Sequence, residues 1–307
     1  MGLFDRLKEP VFLKDSSNAE QELAQLKELQ SAATGDTAEE LDLRIRLVEA
    51  GIRGENAIRF ELANSHIPMY VLHDLYLEYE GLTAQIDYLL ITKKANFVLE
   101  CKNLQGNIEI NSSGDFIRTF AHGKKEGIYS PITQNRRHLE LIKQIRTAEK
   151  TNPLTKMLFE KVFYQNYRSV VVLSNPKTVL NAKYAKKEIR QQVIRADQLA
   201  EYIRTVCADS ATSAASDKDM EELAQFFLSC HREQATDYAA SFREAISAAQ
   251  AKKPVPQPET TEPKPVLCPK CGATMIRRVA SKGSNAGNAF YGCSKFPSCR
   301  GIVSIDL

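Results

Sequence analysis

Residues 85–103 read Gln-Ile-Asp-Tyr-Leu-Leu-Ile-Thr-Lys-Lys-Ala-Asn-Phe-Val-Leu-Glu-Cys-Lys-Asn. Two largely apolar runs, 86–91 and 97–99, flank the polar 92–96. Runs of that length, rich in β-formers and bounded by turn residues, predict a hairpin of two buried strands. A turn centred on Lys94-Ala95 would set Leu89 opposite Glu100 and Asp87 opposite Lys102. Side chains alternate faces along a strand, so Glu100 and Lys102 share a face, with Asp87 in reach of both. Two carboxylates and an ammonium then converge at the open end of an otherwise apolar hairpin. Burying charge there is costly unless it is paired or holds a metal. The plainer alternative is an Asp87–Lys102 ion pair that closes the strand pair and leaves Glu100 in solvent.

The chemistry this set suits is phosphodiester hydrolysis. Asp87 and Glu100 are hard oxygen ligands of the kind that hold Mg²⁺ or Mn²⁺ while the ion keeps waters and takes up phosphate oxygens. Such an ion lowers the pKa of bound water and neutralises charge on the attacked phosphate. Lys102 would position the water or stabilise the developing negative charge.

The pattern Asp-x12-Glu-Cys-Lys resembles the core of the PD-(D/E)xK nucleases, and residues 51–103 more specifically resemble a nuclease-related (NERD) domain. The matching pieces are Gly51-x-x-Gly54-Glu55, Leu72-x-Asp74-Leu75, Gln85-Ile86-Asp87, Glu100-Cys101-Lys102-Asn103 and Gly106. Ser130-Pro131-Ile132-x-Gln134-Asn135 and residues 170–176 continue the likeness. Ile86 stands where that family usually has Pro, which leaves the metal ligands untouched. The resemblance implies an α/β fold of restriction-endonuclease-like type, a mixed sheet flanked by helices. It also implies Glu55 as a third acidic residue of the site, against the plainer role of a first-turn carboxylate favoured by the helix dipole. Gln85 and Gln134 would orient the site or the phosphate.

The chain has 307 residues, 43% hydrophobic and 26% charged, enough to bury a sizeable core in one large domain beside a small one. A net charge of +3 gives no global basicity. Its distribution is uneven: within 266–307, six Lys and Arg residues face Asp306 alone, a local +5 against −2 for the remainder. Seven cysteines, four of them clustered near the C-terminus, do not form the framework of a secreted disulfide protein. The N-terminus lacks a signal-peptide apolar core, and Arg6 stands where a myristoylation signal needs Ser or Thr. No stretch approaches the ~20 apolar residues of a membrane span. A cytoplasmic protein without a membrane partner is the expectation.

Residues 1–50 read as helical. Ser16-Ser17 caps a helix bearing Leu23, Leu26 and Leu29, and Thr37-Ala38-Glu39-Glu40 fits a capping box ahead of Leu41, Ile45 and Val48. A separate helix is expected over 55–64, then a strand over 69–77 beside the central hairpin. A second hairpin is expected across 106–120 with its turn at Ser113-Gly114-Asp115. Ser130 and Pro131 start a helix, Arg136, Arg137 and His138 reading as a solvated face or as phosphate contacts; His138 is not expected to ligate a metal, because no His or Cys stands at i+4. A strand follows over 169–173, then a short one at Val193-Ile194, with Asp197 capping the next helix. Residues 219–249 read as one long helix. His231 beside Cys230 is not a metal pair, because neighbouring helix positions do not face one point.

Residues 252–266 carry five prolines among Glu and Thr and read as an extended linker. Beyond it, Cys268-Pro-Lys-Cys271-Gly and Cys293-Ser-Lys-Phe-Pro-Ser-Cys299 supply two cysteine pairs for a tetrahedral structural Zn²⁺. So short a segment could hardly fold without such a staple. The run Cys-Pro-x-Cys-Gly…Phe-Tyr-Gly-Cys-Ser-x-Phe-Pro-x-Cys closely resembles the C-terminal zinc fingers of type I DNA topoisomerases, which implies DNA binding, single strands included. Phe290, Tyr291 and Phe296 can stack on bases while Arg277, Arg278 and Lys295 meet phosphates. Alternatively the aromatics pack the ribbon core and the basic residues only solubilise it. Nothing resembles the topoisomerase catalytic core.

The expected organisation is an N-terminal helical segment 1–50, a nuclease-related domain 51–205, a helical extension 206–251, a linker 252–266 and a zinc ribbon 267–307. The expected function is metal-dependent DNA cleavage targeted by the ribbon, with a homodimer if both strands are cut. The competing reading is a DNA-binding module whose nuclease fold no longer cuts. A third is action on RNA, since stacking ribbons tolerate either sugar.

Overall fold

The computed structural model describes residues 7–233, 237–252, 265–282 and 286–305. The elements run β1 (Pro10–Lys14), α1 (Asn18–Leu29), α2 (Asp36–Ala63), β2 (Met69–Tyr79), β3 (Leu82–Thr92), β4 (Asn96–Lys102), β5 (Asn107–Ile110), β6 (Phe116–Thr119), β7 (Lys125–Ile128) and α3 (Pro131–Ala148). They continue as α4 (Pro153–Asn166), β8 (Tyr167–Leu173), β9 (Leu180–Asn181), α5 (Lys187–Arg190), β10 (Val193–Arg195), α6 (Leu199–Asp209), α7 (Asp217–Cys230) and α8 (Ala240–Lys252). Last come β11 (Met275–Val279), β12 (Ala289–Cys293) and β13 (Ile302–Ser304). The chain divides into two compact units, residues 1–248 and 249–307.

The first unit is built on a six-stranded mixed sheet in the order β1-β2-β3-β4-β8-β10. The β2-β3-β4 meander is antiparallel, whereas β1, β8 and β10 join in parallel. Buried apolar residues of α3, α4 and α7 cover one face, including Leu139, Ile142, Phe163 and Phe227. Ile58 and Leu62 of α2, with Leu199 and Ile203 of α6, cover the other. Central strands covered on both sides need near-continuous apolar runs, and β3, β4 and β8 have them. A second small sheet, β7-β6-β5-β9, adds its own apolar cluster around Ile108, Phe116 and Leu173. Among the described residues no helix is long and apolar enough to cross a membrane.

The mixed α/β architecture and the central hairpin are as the sequence predicts, but several local expectations are corrected. The hairpin turn is centred on Lys93-Lys94, so Leu89 faces Val98 and Tyr88 faces Leu99, a register two residues away from the one expected. The Thr92 hydroxyl sets this turn by donating to the Ala95 carbonyl at 2.5 Å. Residues 36–63 form one helix, with no capping box at Thr37 and Gly35 as its N-cap. The apolar stripe Leu41, Ile45, Val48, Ile52, Ile58 and Leu62 crosses Gly51 and Gly54 unbroken, and its burial outweighs the ~1 kcal/mol each glycine costs a helix. Glu55 therefore lies mid-helix, and a first-turn dipole role is unavailable to it.

Residues 10–14, expected to be helical, are a strand. The helix after β10 begins at Leu199 without a side-chain cap, and Asp197 instead accepts from Arg195 Nε at 3.1 Å. The long helix expected over 219–249 is two. After Cys230 the chain turns extended, His231 Nδ1 accepts from the Tyr76 N–H at 3.1 Å, and the Arg232 N–H donates to the Tyr76 carbonyl at 3.0 Å. Pairing with the end of β2 overrides helical propensity there. Most of the Pro-rich linker, residues 253–264, lies outside the described residues.

Candidate active site and metal centre

The meander carries the acidic cluster at a deliberate irregularity. On β2, Tyr70, Leu72, Leu75 and Leu77 all join one core, and on β3 Ala84, Ile86, Leu89 and Ile91 do the same. Residues three apart on an unbroken strand face opposite sides, so each strand changes face once. The change falls at Asp74 and Asp87, the positions skipped between the pairs His73–Tyr88 and Leu75–Ile86. Asp74 has φ of +52°, a left-handed conformation that a short polar side chain tolerates best. Its carboxylate is occupied: Oδ2 accepts from the Asn18 N–H at 2.8 Å and Oδ1 from Gln85 Nε2 at 2.7 Å. Lys14 Nζ donates to the His73 and Asp74 carbonyls at 2.9 and 2.7 Å. The segment from β1 into α1 thus braces the bend that presents Asp87.

At that bend the β3–β4 ladder ends, and Asp87 Oδ2 accepts from the Cys101 N–H at 2.6 Å. Glu100 and Lys102 alternate with Val98 toward the α3 side of the sheet. Lys102 Nζ lies 2.6 Å from Glu100 Oε1 and donates to Gln134 Oε1 at 3.2 Å, so α3 closes the site from above. Ser130 caps α3 as expected, its Oγ accepting from the Thr133 N–H. The buried Asn135 amide fixes the helix against the sheet by donating to the Val98 carbonyl at 2.7 Å and to Ser169 Oγ at 3.0 Å.

Glu55 arrives from α2 because Gly54 lets that helix approach the sheet closely. A Cβ at Gly54 would meet Ser174 Oγ at 2.6 Å, Asn103 Cβ at 2.8 Å and Cys101 Sγ at 3.1 Å. Glu55 Oε2 pairs with His73 Nε2 at 2.9 Å, and the Tyr88 hydroxyl donates to the Glu55 carbonyl at 3.0 Å. The His73 ring in turn stacks on Tyr88 with centroids 4.5 Å apart.

The electrostatics are those of an anionic site short of positive charge. Burial, then Glu100, then Glu55 hold the Asp87 carboxyl well above the ordinary carboxylate range. Burial also raises Glu100, against the opposing pull of Lys102. Its Oε2 is buried without a hydrogen-bond partner, as is His138 Nδ1 3.6 Å away. Burial first, and Lys102 second, pull the His138 imidazole down to about 4, so it is neutral near pH 7. These groups fit a divalent cation, which would favour both ionised carboxylates and give Glu100 Oε2 a partner. They form a looser set than the thiols of the second unit, which are, among the described residues, the one group of three or more ligand-type side chains with donor atoms within 4.8 Å of one another.

The structure thus brings together Asp87, Glu100, Lys102 and Gln134, with Glu55 close enough to act on both carboxyls. Gln85 takes a different partner, Asp74, and bears on the bend rather than on the cluster. Arg136, Arg137 and His138 diverge: Arg137 lies over the Tyr129 ring at 5.7 Å and His138 turns inward. Arg136 lines a separate cleft of about 760 Å³ with Arg168, Arg190, Tyr164 and Tyr202, and none of Glu55, Asp87 and Glu100 lines it. Sequence reasoning missed His73 and the bracing Lys14, and it did not place His138 against Glu100. An isolated histidine carries no spacing signal, although His138 does follow Gln134 by one helical turn.

In the second unit, Cys268 and Cys299 Sγ lie 3.8 Å apart and Cys271 and Cys293 Sγ 3.5 Å apart. Thiolates sharing a tetrahedral Zn²⁺ at about 2.3 Å stand about 3.8 Å apart, so the four fit a structural zinc site. Hydrogen bonds from the Lys270 and Cys271 N–H groups, against the opposing effect of burial, leave the Cys268 thiol lowered to about 7. Gly301 is required by space, since a Cβ there would collide with Cys268 Sγ. In the three-stranded ribbon, Arg277 faces Tyr291 and Arg278 faces Phe290. Tyr291 packs against Met275, Val303 and the cysteines. Arg278 instead lies over the Phe296 ring at 5.9 Å, and Phe296 is 56% exposed. Of the aromatics expected to stack on bases, Phe290 and Phe296 lie with Arg278, while Tyr291 belongs to the ribbon core.

Fold and sites together define a nuclease-like α/β unit and a tetrathiolate zinc ribbon on one chain. Comparison with family models agrees: residues 50–174 match the nuclease-related domain and residues 265–306 the topoisomerase DNA binding C4 zinc finger. The chain carries a NERD domain followed by a topoisomerase-type C4 zinc finger. No curated protein matches it. Among solved structures, Can2 from Sulfobacillus thermosulfidooxidans in complex with cyclic tetra-adenylate aligns at 11% identity and a TM-score of 0.26, covering 62% of this chain and 54% of that one. A superposition that weak defines neither fold nor function.

Proposed function

We propose that the protein is a metal-dependent DNA nuclease held on its substrate by the zinc ribbon. The observation that carries this is the pairing of half-buried Asp87 with buried Glu100, both carboxyls held above their ordinary range, with Glu100 Oε2 unpartnered. Asp87 and Glu100 would hold Mg²⁺ or Mn²⁺, with Glu55 assisting, and such an ion supplies an activated water and neutralises the attacked phosphate. Lys102 spends one N–H on Glu100 and one on Gln134. An ammonium has three donors, so one remains for the phosphate or the attacking water. Gln134 keeps that ammonium in place, and Gln85 acts through Asp74 on the bend that aims Asp87.

On the ribbon, Phe290 and Phe296 offer ring faces to bases, and Arg278, Arg277 and Lys295 meet phosphates, an arrangement suited to single strands. Residues 252–266 serve as a tether between this module and the nuclease-related domain, raising the local concentration of substrate. A site of this kind cuts both strands of a duplex most simply as a homodimer, and a cytoplasmic setting supplies both DNA and reduced thiols.

The second reading, a binding module that does not cut, is favoured by the 2.6 Å Glu100–Lys102 ion pair, which already neutralises one carboxylate. Incubation of plasmid and single-stranded DNA with Mg²⁺ or Mn²⁺ separates the two. Cutting by the wild type that Asp87→Ala and Lys102→Ala abolish supports the nuclease. Failure to cut, with DNA binding that falls on removal of residues 266–307, supports the binding module. Matched RNA oligomers in the same assay test whether the sugar matters.

A further inference from the structure

His138 takes no part in the site as the acidic and lysine residues define it, yet it is 8% exposed and faces Glu100, 2% exposed, from a different element. The two atoms that face each other, His138 Nδ1 and Glu100 Oε2, are 3.6 Å apart and both lack a hydrogen-bond partner. That distance is too long for a hydrogen bond. Native interiors seldom leave one such atom unsatisfied, still less two in opposition, without a ligand that satisfies both. Donors in neighbouring positions of an octahedron with bonds of about 2.1 Å stand about 3 Å apart, so a small side-chain adjustment seats one cation on both.

The surroundings select this pair for the ion. Lys102 Nζ pairs with the other oxygen, Glu100 Oε1, and donates to Gln134, while Oε2 on the His138 side has no partner. The helix that carries His138 is anchored less than one turn earlier by the buried Asn135 amide, so the imidazole is positioned and not free to swing.

We propose that His138 Nδ1 and Glu100 Oε2 jointly ligate the divalent cation of this site, which makes the site prefer a first-row transition ion to Mg²⁺. Mg²⁺ favours an all-oxygen shell, whereas a ring nitrogen suits the later first-row divalent ions best and Mn²⁺, the most oxygen-seeking of them, still accepts it more readily than Mg²⁺ does. The inference rests on the reading of Asp87 and Glu100 as a cation site.

The test is Mn²⁺ binding to the zinc-loaded full chain, free of any histidine tag, followed by electron paramagnetic resonance. Affinity comes from the loss of the free-ion signal, and ligand identity from pulsed detection of nitrogen coupling. The wild type should show coupling to one imidazole nitrogen. His138→Gln should lose that coupling and weaken Mn²⁺ about tenfold or more, while Mg²⁺ affinity, measured by competition, changes by less than about twofold. Wild-type protein labelled with ¹⁵N-histidine reads the same ligand without a substitution, should His138→Gln fold poorly. Bound Mn²⁺ that Glu100→Gln releases but that shows no imidazole coupling, or coupling that survives His138→Gln, overturns the proposal and leaves the cation site standing. Mn²⁺ binding indifferent to Asp87→Asn and Glu100→Gln defeats the cation site itself, and this inference with it.

Discussion

Gly51→Ala and Gly54→Ala, three residues apart on α2, should move stability in opposite directions. A Cβ at Gly51 meets nothing within 4 Å. Alanine there gains the helix-propensity difference, about 1 kcal/mol, and nothing opposes it. At Gly54 the same gain is set against three contacts at 2.6, 2.8 and 3.1 Å, one of them the Cβ of Asn103, which sits too close to the backbone to swing away. Overpacking of that kind costs about 1–3 kcal/mol, and contacts this short place it near the upper end. Net destabilisation of about 2 kcal/mol follows, a gap of about 3 kcal/mol between the variants. Urea unfolding followed by far-ultraviolet circular dichroism measures it, because the described helices lie almost wholly within the first unit. Equal stabilisation by both substitutions would refute the close seating of α2 on the sheet, and with it the account of how Glu55 reaches the cluster.

Without divalent cations, the neutral His138 should make the fold acid-sensitive. The unfolded imidazole takes up a proton near its usual 6.5, whereas the folded one resists until about 4, so stability is full above 6.5 and falls by about 3 kcal/mol as pH drops through that window. Urea midpoints across pH 4–8 should show this slope, flattened in His138→Gln. The raised carboxyls act with the opposite sign: folding protects their protonated forms, so stability is lost as they ionise with rising pH, and Mg²⁺ or Mn²⁺ should stabilise more at pH 8 than at pH 5.5. Gly301→Ala should cost the ribbon its zinc, read as metal per chain, because the added methyl collides with Cys268 Sγ. Phe296→Ala should weaken single-stranded DNA binding by about 1–3 kcal/mol with zinc retained, whereas Tyr291→Ala should lower ribbon stability.

The central hairpin, the capped start of α3, the strand at β8 and the zinc ligands were legible because each rests on local signals: apolar runs, a Ser-Pro start, paired cysteines. The acidic cluster was legible as a set of residues but not as a geometry. Its register depended on a turn set by the Thr92 hydroxyl, which the composition of 92–96 does not reveal. Asp74, Lys14 and His73 were not legible as site-shaping residues, since their roles arise from a left-handed residue in mid-strand and from contacts spanning over fifty positions in sequence. The break at His231 was equally hidden, because pairing with Tyr76 overrides a helical pattern that is locally sound. Tyr291 shows the same limit at small scale. Phe290, its neighbour on β12, shares its chemistry, and only the strand face separates core from surface.

The most direct test of the central claim is the rate of single-stranded DNA hydrolysis by Lys102→Ala at saturating substrate and Mn²⁺, with DNA affinity measured alongside. If Lys102 stabilises charge at the phosphate, kcat should fall about 10²–10³-fold while DNA affinity stays within about twofold. An unchanged rate would contradict the account and reduce the Glu100–Lys102 contact to a structural ion pair.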